Sequence, residues 1–298
     1  ETSGRAGPRG VLMSSRREFL RHSAGALACT ALASRSLASR SLAADHGSSR
    51  LRVGSCRIDL VAAQQAGLDG IEVNTGRPAD QLEIADPEVR ARYRQQMQQT
   101  GLPVQSLMLA ATNQCPLATD PRGPAWLEQC IEAAVDLGAK VILVAFFGNG
   151  DLLGPDGKIK QDELSEAIRR IRAAAPRAAD QGVVLGLEIY LDGKQNMQVL
   201  DRINLDAVKL YFDVYNTGTT KGHDVPADIH LTKDHIVQFH FKNGPNYLEK
   251  DKQQYEAIAT AIKEIDYQGW IILETTAPSK DPVADAKLNG EFTRSLFA

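Results

Sequence analysis

Short apolar runs alternate with stretches of helical spacing from Leu51 to the C-terminus. Eight of these runs have the length of strands, and they cover residues 51–55, 70–73, 104–108, 141–146, 183–189, 208–213, 236–241 and 270–274. Strands that alternate with helices are typical of βα units and of a parallel sheet. Because a closed (β/α)₈ barrel is built from eight such strands, the pattern predicts an α/β fold, a single-domain TIM barrel.

Amphipathic patterns between the runs predict helices over residues 60–66, 87–100, 124–137, 162–180, 254–265 and 282–297. Asp86 and Pro87 suit the cap and first turn of the second of these helices, and Gly101 suits its end. Pro176 lies inside the fourth pattern, and a proline there predicts a kink or an interruption of the helix.

Residues 1–44 show a different pattern, that of an export leader. The segment 14–20, Ser-Ser-Arg-Arg-Glu-Phe-Leu, is a twin-arginine signature; a weakly apolar run follows, and residues 41–43 are small enough for cleavage. The apolar run is too short to span a membrane. We therefore expect a twin-arginine signal peptide near residues 13–43, starting at Met13, a periplasmic destination, and a catalytic barrel over residues 50–298.

Composition excludes some partners. The chain is 43% hydrophobic and 24% charged with a formal net charge of −3, values of an ordinary globular domain. Nucleic-acid binding would call for a clustered basic face, which the sequence lacks, and no membrane span is expected. Cys56, Cys115 and Cys130 follow the leader without close spacing, so no disulfide framework is predicted.

Four successive predicted strands end in side chains that can ligate a metal, namely Glu188, Asp213, His240 and Glu274. The carboxyl ends of barrel strands share one rim, and carboxylates buried together there would repel one another without a cation. Each residue alone has an ordinary alternative, a solvated strand end or a hydrogen-bonded core histidine. The four together predict one divalent-metal site, and three oxygen donors with one imidazole suit Mn²⁺, Mg²⁺ or Co²⁺ better than a structural Zn²⁺.

From about Leu51 onward the chain resembles the xylose-isomerase-like barrels of the sugar phosphate isomerase/epimerase superfamily. Four stretches carry the resemblance: residues 66–73, residues 213–226, His240-Phe-Lys-Asn243, and residues 267–274. The match departs from the ketohexose 3-epimerases at Asn216, where those enzymes have a histidine. Asn243 likewise stands where the family has an aspartate. The first departure weakens the case for a free ketohexose as substrate, and the second weakens a supporting role for a carboxylate at that position.

The resemblance implies that Glu188 and Glu274, bound to the metal on opposite faces of a ketose, exchange a proton through an enediolate. Lys242 is a third catalytic candidate, because it follows the His240 strand and could hold a substrate oxygen; a solvated loop lysine is the alternative. Glu72, Asn216 and His223 are the candidates for binding substrate at the rim. Glu72 could instead pair with Arg57, and His223 could be a plain loop histidine.

These observations predict a metal-dependent sugar isomerase or epimerase acting on a non-phosphorylated keto-sugar or polyol. Mn²⁺ is the favoured ion, with Mg²⁺, Co²⁺ and Zn²⁺ open. Export argues against a phosphorylated substrate, and the sequence has no glycine-rich phosphate loop. Barrels of the family often pair, so a homodimer is expected without a located interface.

Three alternatives remain. A lyase or hydratase acting on 3-keto-glycosides or keto-inositols would use the same site. Phosphodiester hydrolysis is disfavoured by the few histidines and the negative charge. A non-catalytic sugar-binding barrel would carry the same rim residues without a metal.

Overall fold

The computed structural model describes residues 51–298, and the predicted export leader lies outside the described residues. Within this part of the chain, parallel strands hydrogen bond in chain order and close into a barrel. The strands are β1 (Arg52–Ser55), β2 (Gly70–Asn74), β3 (Val104–Leu109), β4 (Val141–Phe146), β5 (Val184–Ile189), β6 (Val208–Asp213), β7 (Ile236–Phe241) and β8 (Trp270–Leu273). The predicted (β/α)₈ barrel is confirmed, and its strands begin and end within one residue of the predicted positions.

A helix follows each strand along the chain. The helices are α1 (Leu60–Gln65), α2 (Pro87–Thr100), α3 (Gly123–Leu137), α4 (Gln161–Asp180), α5 (Gly193–Ile203), α6 (Val225–Thr232), α7 (Lys252–Glu264) and α8 (Pro282–Ser295). Asp86 caps α2 by accepting a hydrogen bond from the Glu88 backbone N–H, and Gly101 ends that helix with a φ of 72°. Such a left-handed φ is accessible to glycine without steric cost, so the predicted helix stop is confirmed.

Two helices, α5 and α6, were not predicted. Asp192 and Gln195 form a reciprocal capping box at the start of α5, and Asp224 caps α6 through the Ala227 backbone N–H. The expected interruption of α4 is wrong, because this helix continues through Pro176 to Asp180. Pro176 lies about one turn before the helix end, where its missing N–H removes a single backbone hydrogen bond.

Alternate residues of β4 face two different cores. Ile142, Val144 and Phe146 belong to the large core between the barrel and its helices. Val141, Leu143 and Ala145 point the other way and pack with Tyr211 inside the barrel. This is the alternation expected of a strand, and it leaves an apolar wall on the β4 side of the barrel interior.

Strand register brings the polar interior residues to matching heights. Asp213 pairs with His240, and two residues earlier on the same strands Tyr211 pairs with Gln238. Residues two apart on a strand face the same side, so each pair occupies its own layer of the interior.

No helix among residues 51–298 combines the length and apolar character that crossing a membrane requires.

Candidate metal centre

The structure brings the four predicted ligand residues together at the carboxyl end of the barrel. One ligand atom from each of Glu188, Asp213, His240 and Glu274 lies within 4.8 Å of those of the other three. The first three residues are buried, and the Glu274 side chain is 16% exposed. The four-residue cluster is therefore open to solvent on the Glu274 side.

His240 is fully buried and turns one ring nitrogen toward the cluster. Its Nδ1 lies 3.3 Å from Glu188 Oε1, 3.7 Å from Glu274 Oε2 and 3.9 Å from Asp213 Oδ2. The other nitrogen, Nε2, lies 2.9 Å from Glu72 Oε1 on the far side of the ring. The imidazole is thus held between the cluster and a carboxylate beneath it.

Lys242 lies between two of the carboxylates. Its Nζ is 2.7 Å from Glu274 Oε2 and 2.9 Å from Asp213 Oδ2. The other Glu274 oxygen accepts a hydrogen bond of 2.9 Å from the guanidinium of Arg57. Arg57 therefore pairs with Glu274 and not with Glu72, the partner considered for it from the sequence.

The two glutamates that follow β5 and β8 differ in their electrostatic surroundings. Burial, together with the charges of Asp213 and Glu274, raises the pKa of Glu188 to about 8 against the opposing effect of His240. Burial also acts to raise the pKa of Glu274, but His240, Lys242 and Arg57 together lower it below its usual range. Without a metal, one glutamate favours its protonated form and the other its ionised form.

Positive groups share the cluster with the carboxylates. Burial acts to lower the pKa of His240, but Glu72 and Glu188 raise it well above its usual range. Burial likewise opposes the charge of Lys242, whose pKa is nevertheless raised by Asp213, Glu274 and Glu188. The cluster therefore compensates its own negative charge with protons and an ammonium group.

The donor set fits a divalent cation. Asp213 Oδ2 is buried and accepts no well-directed hydrogen bond, since the nearby Lys242 ammonium meets its charge but lies outside the angular range of a bond. Its second oxygen, Oδ1, is already fixed by the backbone N–H groups of Tyr215 and Asn216. An acceptor held in place with one oxygen unsatisfied suits a metal ligand, and hard oxygen donors suit Mg²⁺ or Mn²⁺.

Glu72 lies deeper than the sequence suggested. We expected it at the rim beside the substrate, but its side chain is fully buried beneath His240. Glu72 is the third residue of β2 and pairs with Ser106 of β3, one layer below the strand ends. Its Oε2 accepts hydrogen bonds of 2.8 Å from Ser106 Oγ and Tyr211 OH, so both of its oxygens are engaged.

Three buried polar residues around Glu72 were missed from the sequence. Gln238 Nε2 donates to Ser106 Oγ and to Tyr211 OH, each at 2.8 Å. A signal for two of them was present, because Tyr211 and Gln238 precede Asp213 and His240 by two residues and so face the same side of their strands. We call Glu72, Ser106, Tyr211 and Gln238 the lower network.

Cys56 is close to this network as well. Its Sγ forms a second group of potential ligands with Glu72 and His240. Burial raises the pKa of the Cys56 thiol to about 11, although His240 acts to lower it. Because the thiolate is the form that binds metals, a protonated Cys56 leaves the four-residue cluster as the better metal site.

The remaining predicted residues occupy different positions. Asn216 is buried at the start of the turn after β6, and its backbone N–H donates to Asp213 Oδ1 at 2.7 Å. His223 is half-buried and lines a separate pocket of about 400 Å³ that contains none of the cluster residues. Asn216 thus supports a cluster residue, while His223 is not brought to the cluster.

Aromatic residues flank the mouth of the site. The rings of Phe147 and Tyr190 meet edge to face with centroids 4.5 Å apart, and Lys221 Nζ lies 4.3 Å from the Tyr190 centroid. Tyr190 follows β5, two residues after Glu188. These half-buried rings provide an apolar surface beside the charged cluster.

Comparison with protein-family models identifies one family. The model of the xylose isomerase-like TIM barrel matches residues 60–296. A search of curated proteins found no match.

Solved structures share the fold at low sequence identity. A 3-keto-D-glucoside 4-epimerase from E. coli is 16% identical with a TM-score of 0.65, covering 82% of this chain and 99% of its own. A D-allulose 3-epimerase from Methylomonas sp. is 19% identical with a TM-score of 0.63, covering 83% and 95%. A xylose isomerase-like protein from Mycobacterium smegmatis, in complex with magnesium, is 18% identical with a TM-score of 0.63, covering 80% and 86%.

Proposed function

The chain belongs to the xylose isomerase-like TIM barrel family, and we propose that it is a metal-dependent isomerase or epimerase of a non-phosphorylated keto-sugar or related polyol. The observation that carries the proposal is the cluster of Glu188, Asp213, His240 and Glu274, whose ligand atoms lie within 4.8 Å of one another. Two of its members are glutamates, the residue type that can both hold a cation and move a proton.

The structural comparisons favour chemistry beside a carbonyl. The 3-keto-D-glucoside 4-epimerase and the D-allulose 3-epimerase are each named for a ketone and for inversion at the carbon next to it. A proton on such a carbon is acidified by the neighbouring carbonyl. A base on one face and an acid on the other would suffice to invert the centre.

Glu274 and Glu188 suit these two roles. In the metal-free protein His240, Lys242 and Arg57 lower the pKa of Glu274 and burial raises the pKa of Glu188, so Glu274 is the better base and Glu188 the better acid of the pair. In the reverse direction the two glutamates would exchange roles. Lys242 lies within 2.9 Å of both Asp213 and Glu274, so its ammonium is placed to hold a substrate oxygen as negative charge develops there.

The four cluster residues would hold the cation, with Mn²⁺ favoured and Mg²⁺, Co²⁺ or Zn²⁺ open. When bound, a divalent cation supplies Lewis-acid polarisation of the substrate carbonyl. Phe147 and Tyr190 would cover the apolar face of a sugar ring.

Deuterium exchange tests the proposal. We would incubate the protein and Mn²⁺ in D₂O with a 3-keto-D-glucoside, D-allulose and L-ribulose in turn. We expect one deuterium at the carbon beside the carbonyl of a substrate, together with its epimer or isomer. Glu188→Gln and Glu274→Gln should each slow the conversion by about 10²–10⁴. Absence of exchange with all three sugars, and of any Mn²⁺ or Mg²⁺ binding, would count against the proposal and favour a non-catalytic sugar-binding barrel.

The same incubation separates epimerisation from elimination. A lyase would remove the proton at C2 of the 3-keto-D-glucoside and expel the aglycone from C1, whereas a 4-epimerase removes and returns the proton at C4; both protons lie beside the same carbonyl. Release of free aglycone would therefore replace the epimerase proposal with the lyase or hydratase alternative. A deuterated epimer with its aglycone intact would exclude it.

We also propose that the protein acts in the periplasm after twin-arginine export. The segment 14–20 with its Arg16-Arg17 pair supports this proposal. Replacing both arginines by lysine should retain the protein in the cytoplasm, as measured by cell fractionation. Equal periplasmic amounts of the variant and the parent protein would contradict the route.

A further inference from the structure

We propose that Glu72, held by Ser106, Tyr211 and Gln238, is a positioning residue that fixes the imidazole of His240 so that Nδ1 faces the cation site. The inference rests on the proposed function in one respect, because it takes the four-residue cluster as the place where a cation binds. It adds a role for the lower network, which lies one layer deeper than any group that could touch substrate.

The imidazole of His240 lies between two sets of carboxylates. Nε2 of His240 lies 2.9 Å from Glu72 Oε1, while Nδ1 lies within 3.9 Å of Glu188, Asp213 and Glu274. A neutral imidazole carries one proton, and the hydrogen bond made by one nitrogen decides which nitrogen is free to bind a metal. A carboxylate at Nε2 therefore keeps the proton there, so that Nδ1 is the nitrogen that gives up its proton when a cation binds.

Hydrogen bonds from neighbouring side chains fix the direction of the Glu72 side chain. Its Oε2 accepts from two hydroxyl groups, Ser106 Oγ and Tyr211 OH, each at 2.8 Å. With the His240 Nε2–H on Oε1, the Glu72 side chain accepts three hydrogen bonds, which fix its direction. Glu72 is fully buried, so bulk solvent does not reach its oxygens.

The amide of Gln238 fixes the direction of the hydroxyl protons of Ser106 and Tyr211. The amide nitrogen of Gln238 lies 2.8 Å from both hydroxyl oxygens, to which it can only donate. Each hydroxyl then accepts from Gln238 and has its single proton left for Glu72. The opposite amide orientation would draw both protons to Gln238 Oε1 and leave Glu72 Oε2 without a donor.

Packing fixes the plane of the imidazole as well. The Tyr211 ring meets the His240 ring edge to face, with centroids 4.5 Å apart and planes at 62°. A Cβ at Gly186 would lie only 3.2 Å from Tyr211 Cβ and 3.3 Å from its Cδ2. Glycine at this interior position of β5 therefore leaves the space that Tyr211 occupies beside His240.

The test combines metal affinity with the state of the ring, neither of which requires activity. We would measure Mn²⁺ binding by titration calorimetry and record ¹⁵N spectra of histidine-labelled protein, with the His240 signals assigned from a His240→Gln sample. Glu72→Gln should weaken Mn²⁺ binding by about 10- to 100-fold, the usual cost of losing a group that orients a metal-bound histidine. It should also shift the Nε2 signal of His240 in the metal-free protein.

Smaller changes to the lower network keep the inference testable if Glu72→Gln does not fold. Tyr211→Phe and Ser106→Ala each remove one donor to Glu72 Oε2, and each should weaken Mn²⁺ binding by several-fold and move the same ¹⁵N signal. Thr112→Val is the matched control. It also removes a buried hydroxyl of the barrel end, which donates to the Leu109 and Ala145 carbonyls and not to Glu72; its Mn²⁺ affinity and His240 signals should equal those of the parent protein.

The outcomes separate this inference from the proposed function. If the parent protein binds no Mn²⁺, the proposed function fails, and the metal-free ¹⁵N shift alone judges the positioning role. A shifted His240 signal in the folded network variants supports that role. Parent-like Mn²⁺ affinity and parent-like His240 signals in all three variants would overturn it.

Discussion

The two halves of the barrel carry different parts of the candidate site. In the second half, β5 and β6 each hold a cluster carboxylate, β7 holds His240, and Glu274 directly follows β8. In the first half, β4 presents only Val141, Leu143 and Ala145 to the interior. The polar interior residues of β2 and β3 are Glu72 and Ser106, which lie one layer lower. Glu72 contacts His240, a residue of the second half. All four candidate ligands for the cation are therefore supplied by the second half, whereas the residues that orient His240 come from both halves, Glu72 and Ser106 from the first and Tyr211 and Gln238 from the second.

The largest expected effect comes from removing a second-half glutamate. Glu188→Gln or Glu274→Gln should lower kcat by about 10²–10⁴, the usual contribution of a general acid or base, measured on whichever keto-sugar shows deuterium exchange. Glu83→Gln, which changes a rim carboxylate of the first half that lines a different pocket, is the control and should retain full activity. Equal losses in all three variants would show that the two halves do not divide the chemistry in this way.

A second prediction concerns the ammonium group inside the cluster. Lys242→Met should lower the free energy of unfolding of the metal-free protein by about 2–4 kcal/mol, because Asp213 and Glu274 lose their nearest cation. Saturating Mn²⁺ should recover most of the loss by restoring positive charge. Urea unfolding with and without Mn²⁺ measures both values.

The control for Lys242 is another rim lysine. Lys221→Met removes an ammonium that lies over the Tyr190 ring and touches no cluster carboxylate. Its stability should change little, and equally with and without Mn²⁺. A Lys242→Met deficit that Mn²⁺ leaves unchanged would argue that the cluster does not bind the ion.

The third prediction is a pH dependence of metal binding. Glu188, with its pKa raised to about 8, and His240, with its pKa raised well above 6.5, both hold protons in the metal-free protein at neutral pH. A cation must displace those protons, so Mn²⁺ affinity should rise with pH by about tenfold per unit for each proton released. Calorimetry at pH 6, 7 and 8 in buffers of different ionisation enthalpy would measure it, and a constant affinity would contradict it.

Glu188 also determines whether the stability of the metal-free protein rises or falls with pH. The folded protein keeps a proton on Glu188 up to about pH 8, whereas the unfolded chain releases it near the ordinary value of 4.5. Because the native state binds more protons in that window, this group makes the free energy of unfolding fall as pH rises from about 4.5 to 8. Glu188→Gln should remove that part of the slope.

The smallest expected effect belongs to Arg57, the first-half residue whose guanidinium pairs with Glu274. Its side chain is 53% exposed, and exposed ion pairs contribute about 0.2–1 kcal/mol. Arg57→Gln should therefore lower kcat/KM by at most about fivefold and raise the apparent pKa of Glu274 in the pH–rate profile. Arg77→Gln, on the rim after β2, should change neither quantity. A loss comparable with that of Glu274→Gln would mean that Arg57 contacts substrate.

The sequence was sufficient for the barrel because its strands are buried on both faces and read as continuous apolar runs. Helix α5 was harder, since only the Asp192–Gln195 cap marks its start and its first turns are polar. Helix α6 was hidden by the loop motif before it, whose Asp224 is also the helix cap.

The cluster was predictable because strand order in a barrel places successive carboxyl ends side by side. The depth of a residue along its strand was not predictable, and this depth determines the role of Glu72. At the third position of β2, it meets the underside of His240 instead of the rim. The sequence of β2 does not indicate that Glu72 contacts an imidazole across the barrel, because that contact joins residues far apart in sequence.

The lower network also affects whether the four-residue cluster could be transferred to another protein. Residues 188–274 form one contiguous cassette that contains all four donors, so grafting β5–β8 onto another eight-stranded scaffold would move the complete donor set. The graft would leave behind Glu72 and Ser106, and the transplanted histidine would be free to rotate and to exchange its tautomer. A chimaera that also inherits these two residues at matching depth should recover the affinity that the cassette alone would lack.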